Sequence, residues 1–193
     1  EYTAPEGVEV HSAQPLPNGN VLVVECGTKR LIEVNRAGTI ALEVPLFPGP
    51  KVTTHGQFRG ARKLANGNYV VTYTSDRKVA EVAPSGHVLR EHSVPGDPHE
   101  IVPLPNGNWL ITCGDGHQVV ELNPQGDIVW KVLGNDLPEN PLRLMAGIQR
   151  LPNGNTILCN WLGHGHIGKN PHLYEVTPDH KLVWSYADHS LFK

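Results

Sequence analysis

A five-residue string recurs four times along this chain of 193 residues, and it constrains the fold more than any other feature. The string reads LPNGN at residues 16–20, 104–108 and 151–155, and LANGN at residues 64–68. A second string with a glutamate follows each copy, and these glutamates are Glu33, Glu81, Glu121 and Glu175. The leucine and the glutamate are 17 residues apart in three copies and 24 in the fourth. Two markers in fixed register predict a repeat protein whose last repeat carries an insertion.

Each repeat predicts four short β-strands. Asn-Gly favours a tight hairpin because both residues tolerate positive φ. The strand that follows is apolar on both faces, as in Trp109-Leu110-Ile111, which is typical of a sheet buried on both sides. After the glutamate, a turn with Pro and Gly such as residues 123–126 leads into a fourth strand. No segment between these strands carries a sustained helical period.

Four-stranded units of 40 to 48 residues, each covered by its neighbours, are typical of β-propeller blades. We therefore predict an all-β fold, a β-propeller of four-stranded antiparallel blades, as a single domain over residues 1–193. The expected repeats span about 8–47, 55–94, 96–133 and 143–187. They form either a complete four-bladed ring or part of a six-bladed or larger ring, and a β-sandwich is the less favoured architecture.

Composition supports this fold and excludes several classes of function. The 20 glycines and 17 prolines disfavour long helices, while 39% hydrophobic and 18% charged residues are typical of a packed domain. The formal net charge of −3 argues against a nucleic-acid-binding protein. No apolar run is long enough to predict a transmembrane helix. The three cysteines form no CxxC pair, so they predict neither a disulfide framework nor a zinc ribbon.

The expected strand order divides the propeller into two ends. If the first strand of each blade is innermost, the Asn-Gly and Pro-x-Gly turns share one end, the turn end, and they differ little between repeats. The second-to-third loops and the crossings between blades share the other end, the loop end, where the repeats differ. Variable loops on a rigid scaffold commonly carry function, so we expect the functional site at the loop end.

Histidine and arginine are concentrated at this loop end. Five residues before each first-string leucine, at the mouth of the innermost strand, stand His11, Arg59, His99 and Ala146. Loops, crossings and the insertion add further candidates to the same end: His55, Asp115, His117, Arg143, Trp161, His164 and His166. Eleven histidines in 193 residues is a high density for this residue type.

Three interpretations of these side chains stay open. As an anion site, imidazole and guanidinium groups would donate charge-assisted hydrogen bonds to sulfate, phosphate or carboxylate. The expected ligand-binding residues are then Arg59, His55, His117, Asp115, Arg143 and Trp161. As a metal site, His164 and His166 would hold the ion from one side of the insertion, with further ligands from His99, Asp115 or His117. As a structural set, the histidines would only satisfy polar groups of the loops.

The combination of LPNGN, EVxPxG and a Val-Trp fourth strand resembles the quinoprotein-like (PQQ-like) β-propeller repeats. The His99-Glu100 pair before LPNGN resembles the arylsulfotransferase-type propellers. This resemblance implies a usually six-bladed, extracytoplasmic protein with a channel histidine that accepts a sulfuryl group. His11 and His99 are the positions that could match this histidine, and Arg59 would hold sulfate oxygens. No feature specific to PQQ binding is present, and no cofactor is assigned.

We predict a periplasmic or secreted β-propeller that binds a small anionic or polar molecule at a mouth lined by His and Arg, or a protein partner on the loop end. Nucleic acid is not an expected partner. The alternatives are an arylsulfotransferase-like enzyme with His99 or His11 as the catalytic residue, and a histidine-ligated metal site. Away from this site, the four glutamates predict a hydrogen bond between blades, and Trp109, Trp130 and Trp184 predict contacts in the core between blades.

Overall fold

The computed structural model describes residues 1–137 and 142–190. Within these residues sixteen strands form four antiparallel sheets of four strands each. Blades 1 and 2 consist of Glu9–Pro15 (β1), Val21–Cys26 (β2), Arg30–Val34 (β3), Ile40–Pro45 (β4), Phe58–Lys63 (β5), Tyr69–Tyr73 (β6), Lys78–Val82 (β7) and Val88–Ser93 (β8). Blades 3 and 4 consist of Ile101–Pro103 (β9), Trp109–Thr112 (β10), Gln118–Leu122 (β11), Ile128–Leu133 (β12), Leu144–Arg150 (β13), Thr156–Trp161 (β14), Leu173–Val176 (β15) and Leu182–Tyr186 (β16).

The four sheets are the blades of a β-propeller, which confirms the predicted fold class. Strands pair in chain order within each blade, so each blade is a simple meander. The first strands contact one another in turn, β1 with β5, β5 with β9 and β9 with β13, and are therefore innermost. A short 3-10 helix, Thr54–Gly56, lies in the crossing between blades 1 and 2. Among the described residues, no helix has the length and apolar character to cross a membrane.

The second and third strands of the blades make the core because neighbouring sheets cover them on both faces. Every residue of β6 is buried, and Tyr69 and Phe58 pack with the buried leucines of blade 1. Each fully buried large apolar side chain of this kind stabilises the fold by about 1.5–3 kcal/mol. Trp109 is buried as predicted, and Trp130 is half-buried. The prediction for Trp184 is wrong, because its side chain lies on the outermost strand of blade 4 and is 45% exposed.

The turn end repeats one hydrogen-bond pattern in every blade. In blade 3, the amide of Leu104 donates to the carbonyl of Asn108 (2.8 Å), and Gly107 takes a φ of +86°, which explains the glycine. The side chain of Asn108 then donates to the Glu121 carboxylate (2.7 Å). The corresponding Asn–Glu bonds recur in the other blades at 3.3, 2.7 and 2.7 Å.

The sequence predicted that the four glutamates hydrogen-bond between blades, but their common partner lies within their own blade. Each one accepts a hydrogen bond from the Asn-Gly-Asn turn of its own blade, because the ladder places the third strand directly beside that turn. Bonds to the next blade are added at two glutamates only among the described contacts: Lys63 (2.5 Å) and the Tyr69 hydroxyl (2.6 Å) donate to Glu33, and Arg150 donates to Glu121 (2.9 Å). The repeated glutamate therefore stabilises the hairpin in all four blades, and it joins neighbouring blades at Glu33 and Glu121.

Candidate functional site

The innermost strands are irregular at the position that the sequence predicts to line the mouth. The ladder between the first and second strands skips His11 in blade 1, Arg59 with Gly60 in blade 2, and Ala146 in blade 4. In blade 3, the residue pair that begins at His99 faces a single residue, Thr112. Such β-bulges leave one residue outside the regular pairing and re-aim its side chain. The fold therefore turns this position of each blade towards the central opening.

A cavity of about 570 Å³ lies at the loop end between the innermost strands. Of the residues named from the sequence, those that line it are His11, His55, Arg59, His99, Asp115, Ala146, Trp161 and His164. Asp97 and Glu100 also line it, although sequence reasoning did not assign either to the site. Arg59 is the one lysine or arginine among these described lining residues.

One side of the cavity is a cluster of four polar side chains from blades 1 and 2. The Glu9 carboxylate lies 2.9 Å from Nε2 of His11 and 2.8 Å from Nδ1 of His55. The Arg59 guanidinium contacts Nε2 of His11 and lies 3.9 Å from the Glu9 carboxylate. The side chain of Arg59 is only 12% exposed, whereas that of His55 is 73% exposed. Blade 1 and the crossing into blade 2 therefore meet at one shared carboxylate.

The electrostatics of this cluster favour an ionised carboxylate and a neutral imidazole. Hydrogen bonds from His11 and His55 lower the pKa of Glu9 below its ordinary value. Burial lowers the pKa of His11, and the nearby Arg59 charge acts in the same direction, against the opposing hydrogen bond to Glu9. At neutral pH His11 is therefore uncharged and Glu9 is negative.

His99 occupies the blade 3 side of the cavity in a fixed orientation. Its Nδ1 lies 2.9 Å from the carbonyl of Asp97. A carbonyl only accepts, so Nδ1 carries the proton and Nε2 keeps its lone pair. Burial is the main cause of a lowered pKa for His99. Gly114 makes room for the ring, because a Cβ there would come within 2.6 Å of the His99 imidazole.

Glu100, beside His99, has a structural partner. It accepts a hydrogen bond from Arg62 (2.8 Å), and Arg62 also donates to Ser12 of blade 1 (3.0 Å). One guanidinium thus joins the innermost strands of blades 1, 2 and 3. Burial raises the pKa of Glu100 despite this charged neighbour. Arg62 and Glu100 therefore hold the inner strands of three blades together beside the cavity.

Three predicted site residues lie away from the cavity. His117 and Arg143 line a separate pocket of about 290 Å³, where Nδ1 of His117 is bonded to the Arg143 carbonyl (2.9 Å). His166 is not among the residues that line the cavity, whereas His164 is, 3.8 Å from Asp115 and edge-on to the Trp161 ring. Among the described residues, the one group of three close metal-ligating side chains is Glu9, His11 and His55 rather than the pair from the insertion.

Glu9 is a further site residue, besides Asp97 and Glu100, that the sequence analysis did not assign. Glu9 stands two residues before His11, and its carboxylate is hydrogen-bonded to His11 and to His55, which lies 46 residues after Glu9. The equivalent positions of the other blades carry Gln57, Asp97 and Leu144. The repeat therefore offers one signal, an acidic residue two positions before the histidine in blades 1 and 3.

Four-stranded meander blades around a central cavity define the chain as a β-propeller protein with a polar mouth. Residues 8–181 match the family model described as Mal s 1 allergenic protein-like, and the chain belongs to this family. No curated protein matches the chain. The propeller fold implied by the resemblance is confirmed, while the quinoprotein-like or arylsulfotransferase-type assignment stays a prediction.

Solved structures agree with this fold. A protein of unknown function from Bacteroides caccae is 36% identical, with a TM-score of 0.86 over 98% of this chain and 70% of that chain. A catalytically inactive histidine-to-alanine variant of virginiamycin B lyase from Staphylococcus aureus, determined with quinupristin, is 16% identical, with a TM-score of 0.67 over 96% of this chain. The WD40 β-propeller domain of Doa1 is 17% identical, with a TM-score of 0.61 over 78% of this chain. The chain spans 58% of the lyase and 47% of the Doa1 domain.

Proposed function

We propose that this protein binds a small polar organic molecule that carries an anionic group, in the cavity at the loop end. The observation that carries the proposal is Arg59, a permanent cation that a β-bulge turns into a cavity of about 570 Å³. Small-molecule sites usually enclose about 300–1,000 Å³, so the volume suits such a ligand. An arginine fork in a partly desolvated site favours a carboxylate, sulfate or phosphate group.

The opposite wall suits the less polar part of such a ligand. Blade 4 contributes Leu144, Ala146 and Trp161 to the lining, two blades away from Arg59. The Trp161 side chain is 47% exposed and offers a ring face for stacking. Small Ala146, at the position where three other blades carry His or Arg, leaves room on this side.

The blade 3 wall adds selectivity. Asp97 and Asp115 line it as carboxylates, and they favour a ligand that also offers hydroxyl or amino donors over a simple inorganic anion. His99, with its Nε2 lone pair, is a further acceptor there. The proposed ligand therefore combines one anionic group with donors on its far side.

Binding of 4-nitrophenyl sulfate, measured by calorimetry, tests the anion-binding part of the proposal with an aromatic anion that carries no donor group. We expect saturable binding that is at least about tenfold weaker in Arg59→Gln, because a charged hydrogen bond contributes about 1.5–3 kcal/mol. Arg36→Gln is the matched control, since Arg36 is an exposed arginine of a third-to-fourth turn. Equal loss in both variants, or no saturable binding by the unchanged protein, would contradict the proposal.

Sulfuryl transfer is the second candidate, favoured by the lone pair on Nε2 of His99. In that reaction His99 would attack the sulfur of an aryl sulfate, an N–S bond would form, and the S–O bond to the leaving phenolate would break. A phenol acceptor would then regain the group on its oxygen and lose its proton. Release of nitrophenolate, a sulfuryl adduct on His99 in mass spectra, and loss of both in His99→Ala are the expected signs. Binding without adduct or release supports the binding function alone.

The expected location outside the cytoplasm, periplasmic or secreted, stays part of this proposal. It rests on the resemblance to extracytoplasmic propellers. Fractionation of cells that produce the protein from its natural gene would test it, and recovery only with cytoplasmic markers would contradict it.

A further inference from the structure

Glu9, His11 and His55 bring three metal-ligating atoms together at the rim of the cavity. These atoms all lie within 4.8 Å of one another. Ligand atoms at about 2.0–2.2 Å from one tetrahedral Zn²⁺ lie about 3.3–3.6 Å apart. Side-chain rotations would therefore have to adjust these separations to bring the three groups onto one ion.

We propose that Glu9, His11 and His55 form a site for a divalent transition-metal ion, with Zn²⁺ as the ion that their chemistry matches. Two imidazole nitrogens and one carboxylate oxygen are a ligand set of borderline softness, which suits Zn²⁺ and its neighbours better than Mg²⁺ or Ca²⁺. Three protein ligands leave a coordination position open to water or another small ligand. The inference does not depend on the anion-binding function proposed above.

The backbone fixes each ligand by a different local device. His11 sits at the bulge in β1, outside the regular strand pairing, so its ring turns away from the sheet. His55 sits in the 3-10 helix Thr54–Gly56, and the amide of Gly56 closes the turn on the Thr53 carbonyl (3.0 Å). A Cβ on Gly56 would come within 2.2 Å of the Ser75 hydroxyl, so glycine lets this turn pack closely.

The present hydrogen bonds already hold the cluster in a compact form. Glu9 accepts from both imidazoles, and the two rings lie edge to face with centroids 5.8 Å apart. Metal binding would require each imidazole to present a lone pair, with its proton on the other ring nitrogen. The ion would then replace two hydrogen bonds to one carboxylate by three bonds to itself.

The positive charge of Arg59 should weaken metal binding at this site, so its removal tests the proposal. Its guanidinium contacts Nε2 of His11, and it lies 3.9 Å from Glu9. A fixed positive charge at this distance weakens cation binding, while the Glu9 carboxylate compensates for part of it. Removing the charge should therefore strengthen metal binding, although the same change should weaken binding of an anionic organic ligand.

Calorimetric titration of Zn²⁺ into untagged protein that has been dialysed against a chelator tests the site. We expect one ion per chain, and at least about tenfold weaker binding in His11→Asn, His55→Asn and Glu9→Gln, since even groups behind metal ligands affect affinity by about 10–100-fold. Co²⁺ should give visible absorption bands of low coordination number that the His11→Asn protein lacks. Unchanged circular dichroism spectra without metal would establish that each variant folds.

Two controls separate this site from surface histidines and from the ligand function. His164→Asn with His166→Asn should leave the Zn²⁺ affinity within about twofold, because neither residue belongs to the cluster. Arg59→Gln should bind Zn²⁺ several-fold more tightly. Absence of stoichiometric Zn²⁺ binding, or loss of it in the insertion variant alone, would overturn the metal site. Failure of 4-nitrophenyl sulfate to bind would overturn only the separate proposal for the cavity.

Discussion

The turn end and the loop end of the propeller use the same strands in opposite ways. At the turn end, a glutamate accepts a hydrogen bond from the turn of its own blade, and four blades repeat the pattern. At the loop end, the pairing with the second strand is irregular around one position of each blade, and that position carries His, Arg, His and Ala in the four blades. Regular pairing stabilises one end, whereas irregular pairing presents side chains at the other.

The largest expected effect comes from breaking the turn end at Glu33. Its carboxylate accepts hydrogen bonds from Lys63 (2.5 Å), the Tyr69 hydroxyl (2.6 Å) and Asn20 (3.3 Å). Glu33→Ala leaves these donors unpaired, the buried Tyr69 hydroxyl among them, and should lower the free energy of unfolding by about 3 kcal/mol in urea titrations.

Glu175→Ala is the matched control for this change. It occupies the same strand position, is half-buried, and accepts a hydrogen bond from Asn155 (2.7 Å). The expected loss is about 1 kcal/mol. Equal losses at Glu33 and Glu175 would mean that the contacts between blades add nothing to the hairpin bond.

At the loop end, the packing of Gly114 against His99 can be disrupted by one methyl group. Gly114 has a φ of +44°, and a Cβ there would meet the Asp97 carbonyl and the His99 ring at 2.6 Å. Gly114→Ala should destabilise the protein by about 2 kcal/mol and displace His99, which would weaken binding in the cavity.

Gly165→Ala separates steric crowding from backbone strain. Gly165 also has a positive φ, +85°, but no atom lies within 4 Å of its added Cβ. Thermal unfolding should show a cost of about 1 kcal/mol. If Gly114→Ala and Gly165→Ala lower the stability equally, the close approach of Gly114 to His99 contributes nothing to the cost.

Acid should weaken the hydrogen bonds of two turn-end glutamates. Burial raises the pKa of Glu33 and Glu81, but hydrogen bonds from partners such as Lys63 and Asn68 outweigh it, so both pKa values lie below the ordinary 4.5. A lowered folded-state pKa adds stability above about pH 4.5, and this stability is lost as the pH falls through the folded-state values. The urea midpoint should therefore drop below pH 4.5, and by less in Glu33→Gln. A midpoint that stays flat down to pH 3 would argue against these shifts.

The smallest expected effect concerns Arg77, which pairs with Asp97 (3.2 Å) and is 68% exposed. An exposed pair contributes about 0–1 kcal/mol, so Arg77→Ala should leave the unfolding free energy within about 0.5 kcal/mol. The uncompensated Asp97 charge should weaken 4-nitrophenyl sulfate binding by less than about threefold, as measured by calorimetry. A larger loss would assign Arg77 to the binding site itself.

The fold could be predicted from the sequence because its signals are local and repeated. Asn-Gly turns need positive φ, as Gly107 has, and the apolar strand of residues 109–112 is buried on both sides. The glutamate position was evident from its period, but its partner was not, since the partner depends on how the third strand lies beside the turn. Trp184 shows a similar gap. It lies on a fourth strand like Trp130, but Trp130 is covered by Arg150 and Pro178 of blade 4, whereas Trp184 is 45% exposed.

The candidate site could be predicted only in part. The position of His11, Arg59 and His99 follows from counting back from the repeat. His55 was expected at the loop end from its place in a crossing, and it lines the cavity. Its contact with Glu9 does not follow from the sequence, because that contact joins an inner strand to a crossing far along the chain. His166 was expected beside His164, yet the turn of the insertion carries only His164 into the cavity lining.

The bulges have a consequence for protein engineering. A bulged residue forms no rung of the ladder, so exchanging its side chain leaves the surrounding strand pairing intact. The mouth of this propeller therefore has four positions whose side chains can be exchanged, and the four blades already carry three residue types there, His, Arg and Ala. Ala146→His or Ala146→Arg would place a fourth polar side chain at the mouth, on the apolar wall of blade 4. Either change should alter ligand preference without a change in the strand pairing.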